Sequence, residues 1–175
     1  MKRLAAVAVL LAVGSIGCGG SSSTSPSTSP SAAKPTFTAL LLPANEVPPI
    51  TNAEAGGNGT ATVVFDVTKD SAGNITSGTA TFSVTLGGFP ANTPINIAHI
   101  HTGAAGVAGG IVFSTSLAAG EVTLTNGSGN FTKGGISGDP AVMQQIINNP
   151  GNFYFNVHST LNPGGVARGQ LVKVQ

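Results

Sequence analysis

Alternation of apolar and polar residues is the main pattern along this chain. In TATFSVTL (79–86) every second residue is apolar, which is typical of a strand with one buried face. Similar short runs are TFTALLL (36–42), TATVVFDV (60–67), INIAHIH (95–101), GIVFST (110–115), EVTLT (121–125), NFYFNVH (152–158) and VARGQLVKV (166–174). Because glycine, asparagine or proline separates these runs, the pattern predicts an all-β fold. We expect an antiparallel, Greek-key-like sandwich or barrel of about eight strands.

One segment has helical spacing instead. In SGDPAVMQQIINNPG (137–151), Asp139 is a candidate N-cap and Pro140 occupies the first helical position. Apolar residues then recur at helical intervals until Asn-Asn-Pro-Gly ends the pattern. The segment predicts one short helix over residues 140–148 that covers an opening of the sandwich.

The N-terminal segment has the layout of an export signal. Residues 1–17 contain two basic residues, an apolar run over 4–13 and small residues before Cys18. The apolar run is too short to span a bilayer. GSIGC resembles a lipobox, although Ser15 stands where leucine is commoner. We expect Cys18 to carry a lipid; the alternative is an incidental cysteine within the signal.

The segment after Cys18 predicts a flexible tether. GGSSSTSPSTSPSAAKP has no apolar residue able to join a core, so we assign residues 18–35 to the tether and 36–175 to one folded domain. Cys18 is the only cysteine, which leaves no intramolecular disulfide. We expect an exported protein anchored to a membrane of the cell envelope, facing the periplasm or the cell surface.

Charge is sparse, since only 7% of the residues are Asp, Glu, Lys or Arg. Without residues 1–17 the chain keeps five basic and six acidic residues and shows no basic cluster. This composition argues against nucleic acid as a partner and against electrostatic binding to membranes. We expect a monomer whose partner is an unidentified protein or polysaccharide.

Histidines are the main candidates for chemistry, because the chain has only three of them. In INIAHIH, alternation puts His99 and His101 on one face of a strand. In NFYFNVH it puts His158 on the same face as Tyr154 and Asn156. Both strands lead into similar glycine-rich words, GVAGG and GVARG, which predicts two hairpins of similar geometry.

If the first strands of these hairpins are neighbours, the three imidazoles meet at one end of the sandwich. Imidazole suits copper and zinc, and a three-histidine set leaves one coordination position open. Asn156 and Tyr154 are then candidate outer partners of the ligands. The alternative is that the histidines are surface or hairpin-end residues hydrogen-bonded to the backbone.

Arg168 is a further candidate, because it lies within ten residues of His158. It could attract an anion beside a metal ion, or it could pair with a carboxylate or with carbonyls across the hairpin. We favour the structural role, with Glu46 as the partner, because Pro48 and Pro49 would hold the segment of Glu46 rigidly.

Three motifs in this order resemble the CHRD domain, a module of chordin and of many secreted bacterial proteins. They are ANEVPPI (44–50), AHIHTGAAGVAGGIV (98–112) and NFYFNVHSTLNPGGVARGQL (152–171). The resemblance covers residues 36–174. It implies a secreted recognition or structural module and no established enzyme activity.

GGFPANTPINIAHIHTG (87–103) also looks like the segment of the copper and zinc superoxide dismutases that carries their H-x-H copper ligands. This likeness implies that His99, His101 and His158 bind copper and that Arg168 guides an anion. The chain departs from those enzymes in having no fourth histidine, no acidic zinc-ligand motif and no disulfide. Dismutase activity is therefore not expected.

Other catalytic arrangements find little support. The chain has no G-x-S-x-G motif, and Ser159 should face away from His158. The carboxylates are scattered along the chain. Glu54 lies in the polar turn AEAGGNGT, and we do not expect this turn to join a core. Our main interpretation is an envelope protein with a binding or structural role, and an enzyme is less expected. The alternative is a metalloprotein that holds copper, or zinc as the lesser choice, and has redox activity.

Overall fold

Two five-stranded antiparallel sheets pack face to face in the computed structural model, which describes residues 33–175. The elements are β1 (Thr36–Leu41), β2 (Asn58–Lys69), β3 (Ile75–Gly87), β4 (Thr93–Thr102), β5 (Ile111–Ser114), β6 (Val122–Leu124), β7 (Gly129–Ser137), α1 (Pro140–Asn148), β8 (Phe153–Ser159), β9 (Ala167–Gln170) and β10 (Val172–Lys173). The predicted β-sandwich with one short helix is thereby confirmed. The predicted signal, Cys18 and most of the tether lie outside the described residues. Within the described part, no helix is long and apolar enough to cross a membrane.

The first sheet has the strand order β10–β1–β2–β3–β7. The alternation read in residues 79–86 holds, since Ala80, Phe82, Val84 and Leu86 are buried on β3. In the second sheet the order is β5–β4–β8–β9, and β6 pairs with the first residues of β4. The core therefore lies between β3 and its neighbours on one side and β4 and β8 on the other.

Large apolar side chains from both sheets meet in this core. The largest fully buried ones are Phe37, Phe65, Phe82, Phe155, Leu41, Leu86, Ile95, Ile100, Leu124, Met143, Ile146 and Leu171. Phe82 of the first sheet has its ring centroid 6.0 Å from that of Phe155 and 5.4 Å from that of Phe113, both in the second sheet. Aromatic contacts at such distances stabilise the packing of the two sheets beyond the burial of area alone.

Residues 33–175 form ten strands, two more than the pattern predicts. β7 escaped prediction because it is an edge strand with two consecutive glycines and only one buried residue that is apolar, Phe131. The run at residues 166–174 contains two strands rather than one. The chain changes sheet at the buried Leu171, so that β9 belongs to the second sheet and β10 to the first.

The helix α1 has the predicted bounds. The Asp139 side chain caps its N-terminus by accepting a hydrogen bond from the Ala141 N–H, at 2.7 Å. Met143 and Ile146 are fully buried and pack into the core beside β3. The apolar side of the helix thus extends the sandwich core, as its spacing indicates.

Truncation of this apolar side should destabilise the whole domain. We expect Ile146→Ala to lower the free energy of unfolding by about 2–5 kcal/mol, because it leaves a cavity at a fully buried position. Gln145→Ala, at the neighbouring exposed position, should change it by less than about 0.5 kcal/mol. Urea unfolding measures both variants. Equal stability of the two would show that α1 does not contribute to the core.

Candidate metal centre

The two central strands of the second sheet carry the three histidines on the side that faces away from the core. β4 and β8 are antiparallel neighbours, with His99 opposite Asn156 and His101 opposite Tyr154. Asn156 in turn lies opposite Arg168 on β9. Alternation puts these residues on the same side of the sheet. We give the name histidine face to six of the side chains on this side: His99, His101, Tyr154, Asn156, His158 and Arg168.

The location differs from the one predicted. The imidazoles do not meet at an end of the sandwich but on the outer face of the second sheet. The reason is that Ala98 and Ile100 of β4, and Phe155 and Val157 of β8, are the residues that fill the core. Their neighbours along each strand must point the other way.

Three connecting segments bury the histidine face. They are the β1–β2 segment (42–57), the β4–β5 loop (103–110) and the β8–β9 turn (160–166), and under them the histidines are only 5–7% exposed. Arg168 holds two of these segments. Its Nε donates to the Asn45 carbonyl at 2.6 Å and its Nη1 donates to the Val107 carbonyl at 3.1 Å.

The three imidazoles converge, as the two-hairpin interpretation predicts. One ring nitrogen of each histidine lies within 4.8 Å of a ring nitrogen of each of the others. The ring centroids of His99 lie 5.6 Å from His101 and 5.2 Å from His158. A group of this kind could hold a metal ion.

Hydrogen bonds orient two of the rings. Nδ1–H of His101 donates to the Gly109 carbonyl at 3.0 Å, and Nδ1–H of His158 donates to the Pro163 carbonyl at 2.9 Å. A carbonyl can only accept, so these bonds require the proton on Nδ1 and leave the lone pair on Nε2. Both Nε2 atoms are buried without a partner, and so is Nδ1 of His99. Three buried nitrogens are thus left without protein partners.

The histidines are held in their neutral form. Burial lowers the pKa of His99 to about 4, and repulsion from His158 and His101 acts in the same direction. Burial also lowers the pKa of His101 and of His158, although the bonds to Gly109 and Pro163 oppose it. Neutral imidazole is the form that binds metal ions, so no proton has to leave these rings near neutral pH.

Tyr154 supports the His101 ring. The two rings are nearly parallel, with an interplanar angle of 9° and centroids 4.9 Å apart. The Tyr154 ring also contacts Arg168. The guanidinium carbon of Arg168 lies 4.4 Å from the centroid of the Tyr154 ring, a cation–π contact. The Tyr154 hydroxyl accepts from the Gly109 N–H at 3.2 Å. Gly109 therefore bonds to both members of the stacked pair.

Glu46 and Arg168 are both buried, but the direct ion pair predicted between them is not formed. Within residues 33–175 the side-chain ion pairs join Lys34 to Asp66 and Lys133 to Glu121. The physical reason is that Nε and Nη1 of Arg168 donate hydrogen bonds to backbone carbonyls, while its Nη2 has no partner. Arg168 thus acts on the Glu46 carboxylate through its charge at longer range. The predicted role of Arg168 as an anion guide stays a prediction.

Glu54 is buried, which differs from the expectation for its polar turn. Its Oε2 accepts from the Ser159 hydroxyl at 2.5 Å and from the Asn162 side-chain amide. Asn52 also donates to Asn162, at 2.9 Å. A carboxylate with this many donors can be buried, and the contacts fasten the β1–β2 segment to the β8–β9 turn.

Sequence reasoning missed the backbone partners of the ligands. Gly109 and Pro163 each lie in the connection that follows a histidine strand, and each supplies the carbonyl that orients that histidine. The similar words GVAGG and GVARG were the sequence signal that pointed to these connections, because β4 with β5 and β8 with β9 do form two hairpins. A Cβ at Gly109 would lie 1.8 Å from the Thr102 carbonyl oxygen, so this position requires glycine.

His99 contributes stability to the metal-free protein that should be lost as the pH falls below 6.5, whereas the raised pKa of Glu46 acts in the opposite direction. The folded pKa of His99, about 4, lies below its ordinary value of 6.5, so the unfolded chain takes up the proton first. This contribution of His99 is complete above pH 6.5 and is lost as the pH falls towards 4. We expect His99→Gln to reduce the loss between pH 7 and pH 5 by about 1–2 kcal/mol.

Urea unfolding in the presence of a chelator measures this effect. Gln145→His is the matched control, because it adds an imidazole at an exposed position of α1 and should leave the pH dependence unchanged. An identical loss in the wild type and in His99→Gln would contradict a neutral, buried His99.

Comparison with known proteins identifies the family. Residues 37–171 match the CHRD domain, and this range includes every strand except the first residue of β1 and the last strand, β10. Neither the curated proteins nor the solved structures gave a match. The matched range covers most of the chain and contains the whole histidine face. The chain therefore belongs to the CHRD domain family.

Proposed function

We propose that this CHRD domain is a copper-binding module that a lipid anchor holds at the cell envelope. The single observation that supports metal binding is the convergence of one ring nitrogen from each of three buried histidines, in a group where His99 Nδ1, His101 Nε2 and His158 Nε2 have no hydrogen-bond partners. Buried polar atoms are rarely left unpaired, because an unsatisfied group costs about 1–3 kcal/mol. A metal ion bound by one nitrogen of each ring would supply a partner that the protein itself does not.

The fit to a metal ion needs a modest adjustment. Bonds of about 2.0–2.1 Å to imidazole place ligand nitrogens roughly 3.3–3.6 Å apart. The histidine nitrogens lie within 4.8 Å of one another, so the rings must close in by about an ångström. Two of the rings already have the tautomer and the outer hydrogen bond that metal-bound histidines usually have.

Copper is favoured over zinc by the chemistry of the ligand set. Three neutral imidazoles bring no negative charge, and the order of affinities for nitrogen ligands places Cu(II) above Zn(II). A neutral, buried set also suits the monovalent ion Cu(I), since burial penalises a higher charge more strongly. Recognition of a protein or polysaccharide partner, and redox activity, stay predictions that follow from the family resemblance and from the ligand type.

Metal titration of the purified chain tests the proposal. We expect one Cu(I) or Cu(II) ion per chain, with Zn(II) bound more weakly. His99→Ala, His101→Ala and His158→Ala should each weaken binding by more than the roughly tenfold to hundredfold that is typical of losing an outer partner.

The triple alanine variant gives the background of this titration. Gln145→His, with its added exposed imidazole, should still bind a single ion. Wild-type binding no tighter than that of the triple variant would refute the metal site.

Residues 1–18 support the second half of the proposal. Their two basic residues, apolar run and small residues before Cys18 favour export and lipid attachment. Stable membrane anchoring takes more than one acyl chain, or one chain and a second signal. A lipid-modified Cys18 would supply such an anchor.

Cys18→Ser should move the protein from the membrane fraction to the soluble fraction of an expressing bacterium. Incorporation of a labelled fatty acid should be lost in the same variant. Ser22→Ala, a nearby change in the Ser/Thr/Pro segment, is the control and should leave both properties unchanged. A Cys18→Ser protein that stays fully membrane-bound would contradict lipid anchoring.

A further inference from the structure

Glu46 stands beside the histidine face, although it belongs to the β1–β2 segment. A Cβ placed at Gly165 would lie 2.5 Å from the side-chain amide nitrogen of Asn156 and 2.9 and 3.0 Å from the two carboxylate oxygens of Glu46. The carboxylate and the Asn156 side chain are thus close neighbours. Asn156 lies opposite His99 in the sheet and two residues before His158. Asn156 therefore lies next to Glu46 on one side and next to the ligand group on the other.

The Glu46 carboxylate is an unusual buried acid. It is 7% exposed, its Oε1 is buried without a hydrogen-bond partner, and no ion pair joins it to Arg168. The other buried acid among residues 33–175 is satisfied differently, since Glu54 accepts from Ser159 and Asn162. A buried carboxylate without such partners resists ionisation, and burial raises the pKa of Glu46 to about 7 despite the opposing effects of Arg168 and Asn156.

Solvent reaches the surroundings of Glu46 from two sides. The residue lines a cleft of about 340 Å³ against the β8–β9 turn and a second cleft of about 620 Å³ that also contains Arg168. A proton can therefore pass between the carboxyl group and water without unfolding of the cover. The three histidines line neither of these clefts.

We propose that Glu46 is the counter-charge of the metal site: its carboxyl group is protonated in the metal-free protein and ionised when a divalent ion is bound. The proposal rests on the metal binding proposed above. The ligand set is neutral and Arg168 is positive, so a divalent ion adds two positive charges to a buried region that already has one. Ionisation of Glu46 offsets part of that charge. A monovalent Cu(I) ion induces the ionisation less strongly.

Few other titratable groups face Glu46. They are Arg168 on β9, the three histidines on β4 and β8, and Tyr154 on β8. The β4–β5 loop and the β8–β9 turn contribute none. Burial lowers the pKa values of the three histidines, so fewer protons come from their rings as the pH rises towards 7. We therefore expect Glu46 to be the main source of a proton released on metal binding near pH 7, and the comparison with Glu46→Gln separates this proton from any that the histidines release.

Proton release by the wild-type chain is the first test and needs no variant. Zn(II), which has no redox chemistry, is titrated calorimetrically at pH 6 and pH 8 in two buffers with different ionisation enthalpies. We expect release approaching one proton per Zn(II) at pH 6 and almost none at pH 8. Competition of Cu(I) with a chromogenic chelator under anaerobic conditions should show much weaker pH dependence.

Glu46→Gln keeps the shape of the side chain and removes its charge. We expect it to abolish proton release and to weaken Zn(II) binding at pH 8 by roughly tenfold or more, while Cu(I) affinity changes much less. Glu46→Asp, which keeps the carboxylate, should restore proton release. Glu121→Gln removes an exposed carboxylate with the same change of charge and should behave as the wild type.

The outcomes separate this inference from the proposed function. Absence of metal binding in the wild-type chain would overturn both. Metal binding with equal proton release in the wild type and in Glu46→Gln would overturn the role of Glu46 and leave the metal site standing. Equal weakening of Zn(II) and Cu(I) in Glu46→Gln would assign Glu46 a structural role and would also overturn it.

Discussion

The antiparallel register of β4 with β8 is the constraint on which the rest of the structure depends. It puts His99 opposite Asn156 and His101 opposite Tyr154, and it brings His158 beside them. Because side chains alternate along a strand, a slip of one residue in β4 would turn Ala98 and Ile100 out of the core and the histidines into it. The cost of burying imidazoles in place of apolar residues thus ties the integrity of the core to that of the histidine face.

The cover of the histidine face follows from the same arrangement. A sheet with one face in the core usually exposes its other face to water, but here the β1–β2 segment and two hairpin connections enclose it. Backbone atoms supply much of the fastening, because Arg168 donates to the carbonyls of Asn45 and Val107, and His101 donates to that of Gly109. Because the acceptors are main-chain carbonyls, these bonds depend on the backbone path of the covering segments more than on the side chains of those segments. The few side chains that the cover does require, such as Glu54, make several bonds each.

Much of the fold could be predicted from the sequence, because alternation is a local signal. It identified the core residues of β3, the shared side of His99 and His101 on one strand and that of His158 on another. Helical spacing with Asp139 and Pro140 identified α1. The missed strand β7 shows the limit, since an edge strand with little buried surface needs no alternation. The backbone partners Gly109 and Pro163, and the burial of Glu54, depend on the path of the loops in space. Neither propensity nor periodicity determines such a path.

The unpaired atoms around the histidines explain why a site that suits a metal ion lowers the stability of the metal-free protein. Three ring nitrogens, Glu46 Oε1, Asn156 Oδ1 and Arg168 Nη2 are buried without protein partners. Each costs stability if it stays unsatisfied, whereas an all-apolar face would not. An ion that binds only the folded chain returns stability in proportion to the logarithm of its concentration over its dissociation constant. A site of this kind therefore carries its energetic penalty when it is empty, and that penalty is the expected consequence of a site preorganised for an ion.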